Sequence, residues 1–261
     1  MYGQDPSQYA HLYRPATDEY LPVLVIIHGG YWKDNHSLDS YATRALVDEF
    51  VKEGDVAIWN IEYRRMNSEG ENKNAPWPSI LNDVAKAMDI LKDIEHSEKL
   101  DLSKILVIGH SAGGHLAAWL SSRSSIDKSM PFHSSEPIMP THTICIAGIL
   151  DIYNPNALSQ PQQIERLIGE NVSNYPDRYH QSNPISLWDG EIPITIIHGK
   201  DDKDVDISQS RSFVMKHKKR PVQLIELTNC DHFGMLPLEG NIPKYWPIII
   251  DIIKGEIDKI K

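Results

Sequence analysis

The chain has 261 residues, with 26 Lys and Arg against 36 Asp and Glu, and a formal charge of −10. That acidic balance excludes a nucleic-acid partner held by phosphate contacts, which rest on Lys and Arg. An apolar share of 41% with 24% charged residues excludes a disordered chain, and the length suits one α/β domain over 1–261 with a large core.

Residues 23–27 form a continuous, mostly β-branched apolar run, as a strand covered on both faces should. Residues 41–53 follow as a helix with Leu46, Val47, Phe50 and Val51 on one side, stopped by Gly54. Residues 56–63 read as a second strand. Pro76 and Pro78 open a helix with Ile80, Val84, Met88 and Leu91 at helical spacing. A third strand, 105–108, runs into Gly109-His110-Ser111-Ala112-Gly113-Gly114 and a helix through Leu116 and Leu120. Strands at 143–149, 194–197 and 222–227 and a helix at 208–216 continue the alternation. A last helix aligns Trp246, Ile249, Ile250, Ile253, Ile257 and Ile260. Repeated βα units predict a mainly parallel central sheet with helices on both faces. Such sheets bind ligands beyond the carboxyl ends of their strands. Two segments break the alternation: a polar loop at 64–78, and the proline-containing 152–190, with one weak helix near 162–168. The second reads as an inserted cap or lid, or as surface decoration.

Four features carry chemistry. Gly109-His110-Ser111-Ala112-Gly113 matches G-x-S-x-G between a strand and a helix. There a sharp turn exposes the serine hydroxyl and the glycines let neighbouring backbone pass close; a plain βα turn with a capping serine is the competing reading. His28-Gly29-Gly30-Tyr31-Trp32 follows the first strong strand and can aim the N–H groups of Gly30 and Tyr31, with that of Ala112, at a developing oxyanion. Asp201, Asp202 and Asp204 crowd the loop after the fifth strand; Asp202, three residues past Gly199, is the first choice for an acid that orients a histidine, with Asp201 and Asp204 left open. His232 follows the last strand, where a general base could reach Ser111. His28, His110, His115 and His198 read as structural or supporting.

Other chemistries leave no mark. No H-E-x-x-H, clustered Cys/His spacing, G-x-x-x-x-G-K-[ST] or G-x-G-x-x-G is present, so neither metal nor cofactor is expected. Cys145 and Cys230 are too few for a disulfide framework and read as free buried thiols. Residues 1–10 are polar, without the pattern of a signal peptide, and no apolar run is long enough to span a bilayer; a cytoplasmic protein without a membrane partner is expected.

Together these elements resemble the α/β-hydrolase superfamily, and Ser111, Asp202 and His232 stand in its Ser…Asp…His order. The H-G-G-x-W form, in place of H-G-G-G, resembles the branch of kynurenine formamidases (arylformamidases) and related small carboxylesterases. Tyr2-Gly3 with Gln8 and Leu12-Tyr13, Glu62-Tyr63-Arg64-Arg65, Trp77-Pro78 with Asp83-Val84, and Gly109 to Leu116 fit that branch too. The resemblance implies acyl transfer through Ser111, His232 and Asp202, an oxyanion hole of Gly30, Tyr31 and Ala112, and a small ester or aryl formamide substrate. Tyr31, Trp32 and Trp188 would wall the substrate pocket, with Tyr153 another candidate from the insertion. The chain departs from the family's Val-Pro pair at Val205-Asp206, and initial antiparallel strands are expected to be short or absent. A small peptidase and a non-catalytic binding protein on the same fold are the alternatives, and a homodimer stays open.

Overall fold

The computed structural model describes residues 1–238 and 241–261. Seven strands form one sheet: β1 (Ala10–Tyr13), β2 (Leu21–Ile27), β3 (Ala57–Ile61), β4 (Leu100–His110), β5 (His142–Ile146), β6 (Ile194–Gly199) and β7 (Val222–Leu227). Their spatial order is β1-β3-β2-β4-β5-β6-β7, with only β1 antiparallel, against β3. All seven residues of β2 are buried. Val23, Val25 and Ile27 face one apolar layer and Leu24 and Ile26 the other. Burying each such side chain contributes about 1.5–3 kcal/mol, so this run seats itself at the centre of the sheet.

The helices divide between the faces. On one, α1 (Arg44–Glu53) and α9 (Trp246–Ile260) bury Leu46, Val47, Phe50, Ile249 and Ile253 against Leu24, Ile58 and Ile108. On the other, α2 (Ser79–Asp89) and α4 (Ala112–Leu120) bury Val84, Met88, Leu116 and Trp119 against Val25 and Val107. The short α3 (Leu91–Ile94) continues α2, and α8 (Ser208–Lys216) covers Ile194 and Ile196 through Phe213.

The initial antiparallel part is short, as expected: β1 has four half-buried residues. Two differences from the sequence reading have physical causes. The fourth predicted strand ends at Ile146 instead of 149, because Ala147 turns left-handed at φ 46°. Segment 152–190 holds three helices, α5 (Gln162–Ile168), α6 (Pro176–Ser182) and α7 (Pro184–Leu187), each too short for a clear periodic stripe. Both cysteines are free and buried, and among the described residues no helix is long and apolar enough to cross a membrane.

Neighbouring strand ends place the four features together. Ile27 pairs with Gly109, so the loop after β2 lies beside the turn after β4. Gly199 pairs with Leu227, which brings together the loops after β6 and β7.

Candidate active site

Ser111 sits between β4 and α4 at φ 57° and ψ −121°. A non-glycine residue there stores about 1–3 kcal/mol of strain unless its surroundings enforce the conformation. Close backbone enforces it here: a Cβ on Gly109 would fall 2.0 Å from the Gly113 carbonyl oxygen, and one on Gly113 would fall 2.3 Å from that of Ile27. The Ser111 N–H donates to the Ile146 carbonyl at 2.9 Å.

The loop after β2 turns through Gly30, Tyr31 and Trp32, with φ of 97°, 52° and 57°. Among the described residues the N–H groups of Tyr31 and Ala112 have no hydrogen-bond partner. The N–H of Gly30 faces the buried Tyr41 phenol. Burial pushes that phenol well above its ordinary pKa, while Ser111 and the Gly30 N–H draw it partly back. A buried network supports the loop from below. His28 Nε2 lies 2.9 Å from Glu62 Oε1, and its ring stacks on Tyr63 at 4.3 Å between centroids. Glu62 Oε1 also accepts the Tyr63 N–H at 3.0 Å and Oε2 the Leu38 N–H at 3.1 Å. Burial alone would raise the Glu62 pKa; the hydrogen bond and charge of His28, with Arg65, outweigh it and hold it below the usual range.

His232 Nδ1 donates to Asp202 Oδ2 at 2.7 Å, which in the neutral ring leaves Nε2 with its lone pair. The N–H groups of Asp204 and Val205 bind Asp202 Oδ1 at 2.9 and 2.8 Å, and His198 Nε2 lies 3.2 Å from Oδ2. Burial would raise the Asp202 pKa; hydrogen bonds from His198 and His232, the His232 charge and the Val205 N–H outweigh it, so the carboxylate stays ionised. His110 supports the other side: its Nε2 donates to the His232 carbonyl at 2.9 Å while its Nδ1 accepts from the Tyr41 hydroxyl at 2.9 Å. Burial, then the His232 charge, brings its pKa down to about 3, so the ring stays neutral.

Gly30, Tyr31, Ser111 and His232 line one cavity of about 180 Å³. Among the described residues no hydrogen bond joins Ser111 to His232. Of the other aspartates considered, Asp204 lines this cavity, with Oδ1 accepting from Ser159 Oγ at 2.9 Å, whereas Asp201 is exposed and lines a separate hollow beside Tyr245. The aromatic residues divide. Tyr31 lines the cavity and spends its hydroxyl on the Asp204 carbonyl at 2.8 Å. Trp32 does not reach it: it is wholly buried, edge-on to His115. Trp188 is also core, packed on Phe213 and His217 with its indole N–H on the Ile192 carbonyl at 2.9 Å. Their apolar area is worth more against the sheet than facing a small polar cavity. Tyr153 lines a different cavity of about 310 Å³ within the 152–190 segment. Lys33, His36, Tyr41 and Gln160 also line the Ser111 cavity and are not marked by the sequence; Lys33 directly follows the H-G-G-x-W run, but nothing in its type sets it apart.

The order and direction of the strands, with helices on both faces, define an α/β-hydrolase-type fold. The BD-FAE family model matches residues 11–217, and the chain belongs to that family. It is 26% identical over 257 residues to esterase LipC of Mycobacterium tuberculosis, covering 92% of this chain and 60% of LipC. It is 32% identical over 136 residues to kynurenine formamidase avaC of Aspergillus versicolor, covering 50% of this chain and 43% of that protein. Against a kynurenine formamidase of Drosophila melanogaster it is 22% identical over 241 residues, covering 90% and 74%. The chain thus spans less than two thirds of the first two of these relatives. Among solved structures, a bifunctional GH43-CE protein of Bacteroides eggerthii superposes with a TM-score of 0.78 at 21% identity, covering 98% of this chain and 37% of that one. Propionate-bound Est2 of Thermogutta terrifontis gives 0.75 at 18% identity, covering 96% and 89%. At such identities the structural likeness is one of fold.

Proposed function

We propose that the chain hydrolyses a small carboxylic ester or an aryl formamide through an acyl-enzyme on Ser111. His232 Nε2 takes the hydroxyl proton as Ser111 attacks the carbonyl carbon. Asp202 holds the ring and stabilises its cationic form. The oxyanion rests on the N–H groups of Gly30, Tyr31 and Ala112, a kind of contact whose loss typically raises the barrier by about 3–4 kcal/mol. His232 then returns the proton to the leaving alcohol or amine, and water releases the acid by the same steps in reverse. The observation that carries this reading is the 2.7 Å contact of Asp202 with His232, a residue lining one cavity with Ser111. The cavity's size, about 180 Å³, suits a formyl, acetyl or other short acyl group. In this reading 1–261 act as one catalytic unit and 152–190 form a cap, since Ser159 and Gln160 reach over the loop to Tyr31 and Lys33.

The test is hydrolysis of p-nitrophenyl acetate and N-formyl-L-kynurenine side by side, with Ser111→Ala as control. Turnover of either that vanishes in Ser111→Ala, with a fluorophosphonate adduct on Ser111 by mass spectrometry, is expected. Turnover that survives Ser111→Ala, or no adduct, overturns the reading. The ratio of the two kcat/KM values decides between formamidase and esterase.

A further inference from the structure

Beyond the groups that carry the proposed reaction, the cavity has a charged wall. Lys33, one residue past the H-G-G-x-W run, lines it together with Ser111 and His232. Its backbone is pinned: its N–H donates to the Gly30 carbonyl at 3.0 Å, and the flanking residues exchange hydrogen bonds with Met66 at 2.7 and 2.9 Å. The half-buried ammonium has three donors. One goes to Gln160 Oε1 at 3.0 Å. Among the described residues no carboxylate makes an ion pair with it, and the side chain of its chain neighbour Asp34 accepts from Ser68 Oγ and Asn74 Nδ2 instead. His36 lines the same cavity, and its pKa is lowered, first by burial and then by the charges of His28, Lys33 and Arg65. Asp204 is the one acidic residue in the same lining, and Ser159 Oγ donates to its Oδ1.

We propose that Lys33 binds a carboxylate on the substrate, so that the site prefers small esters or amides carrying an anionic group. This rests on the hydrolase reading above. An ammonium with unspent donors, on a rigid loop beside the reacting groups, offers a charge-assisted contact to such an anion. The neutral amides of Asn35 and Gln160, also in the wall, accommodate the same group.

The test uses matched ester pairs that differ in one charge. Mono-4-nitrophenyl glutarate against 4-nitrophenyl butyrate probes a carboxylate on the acyl side. The 4-acetoxybenzoate anion against 4-acetoxybenzamide probes one on the leaving group. The readout is the ratio of kcat/KM, charged over neutral, within each protein, so that general damage to a variant cancels. In one pair the ratio is expected to fall at least tenfold in Lys33→Glu, less in Lys33→Gln, and to rise in Asp204→Asn. Ratios within twofold of wild type in both pairs overturn the proposal. If wild type cleaves neither these esters nor N-formyl-L-kynurenine, or cleavage survives Ser111→Ala, the hydrolase reading fails by itself. Lys33 is then judged by NMR titration with benzoate and benzamide. Benzoate binding that is preferred by wild type and lost in Lys33→Glu supports the inference; equal binding of both overturns it.

Discussion

Glu62→Gln tests whether the buried network under the loop after β2 governs the N–H groups proposed to hold the oxyanion. The native carboxylate, wholly buried, uses Oε1 for His28 Nε2 at 2.9 Å and the Tyr63 N–H at 3.0 Å, and Oε2 for the Leu38 N–H at 3.1 Å. Arg65 Nε stands 3.3 Å from Oε1. A glutamine keeps the shape but has only one acceptor oxygen. Its NH2 must face either Leu38 or the His28–Tyr63 pair, donor against donor. Each buried donor so stranded costs about 1–3 kcal/mol, and Arg65 also loses its counter-charge; breaking a buried pair from one side costs about 3–5 kcal/mol in all. Because His28 begins the loop that carries Gly30 and Tyr31, relief of that conflict displaces their N–H groups. Misplacing one such donor raises the barrier by about 3–4 kcal/mol, a loss of roughly 10²–10³ in kcat. The expected result is a lower Tm and a kcat for p-nitrophenyl acetate down at least about 100-fold, with KM changed far less, because the donors act chiefly on the transition state. Circular dichroism at the assay temperature separates damage to the site from unfolding. A variant that is folded, destabilised and within fivefold of wild-type kcat would falsify the link between Glu62 and the oxyanion donors.

Two further outcomes follow from the same geometry. Asp202→Asn should lower kcat by roughly 10⁴, the usual cost of leaving a catalytic histidine in the wrong tautomer, while the exposed Asp201→Asn stays near wild type; equal losses in the two would remove Asp202 from its role. Stability should fall on mild acidification, because burial holds His110 and His115 neutral with pKa values down to about 3 and about 4. An unfolded histidine binds its proton near pH 6.5. Below that pH the unfolded chain therefore takes up protons that the folded one refuses, and each histidine withdraws up to about 1.4 kcal/mol per pH unit until its folded pKa is reached. The depressed carboxyls of Glu62 and Asp202 add to the loss only lower, as pH falls through the ordinary carboxylate range. Thermal unfolding between pH 7 and 5 reads the histidine effect, and a flat Tm across that window would contradict the burial argument.

The parallel strands could be anticipated because each is a short apolar run closed by turn chemistry, and every such run carries its own signal; their spatial order could not, because it depends on crossovers that leave no local mark. Ser111, Asp202 and His232 stood out for the same reason: each follows a strand end, where the fold gathers its loops. Function within the walls was much less visible. Trp32 and Trp188 have the residue type of a pocket lining and the burial of core, and only packing decides between the two: both lie against apolar neighbours, one edge-on to His115, the other on Phe213. Lys33 and Gln160 are far apart in sequence, and their contact depends on 152–190 folding back over the sheet as helices too short to announce themselves. The Tyr41–His110 bond depends likewise on the loop before α1 reaching the serine turn, where Gly29 has no Cβ to meet the phenol: one built there would lie 2.5 Å from its oxygen. On the proposed reading, reaction chemistry is written at strand ends, in residue types and order, while selectivity is written in contacts between loops that have no common sequence signature. Charge makes the second kind testable first, since Lys33 can be reversed without touching the serine, the histidine or the donors that the first kind requires.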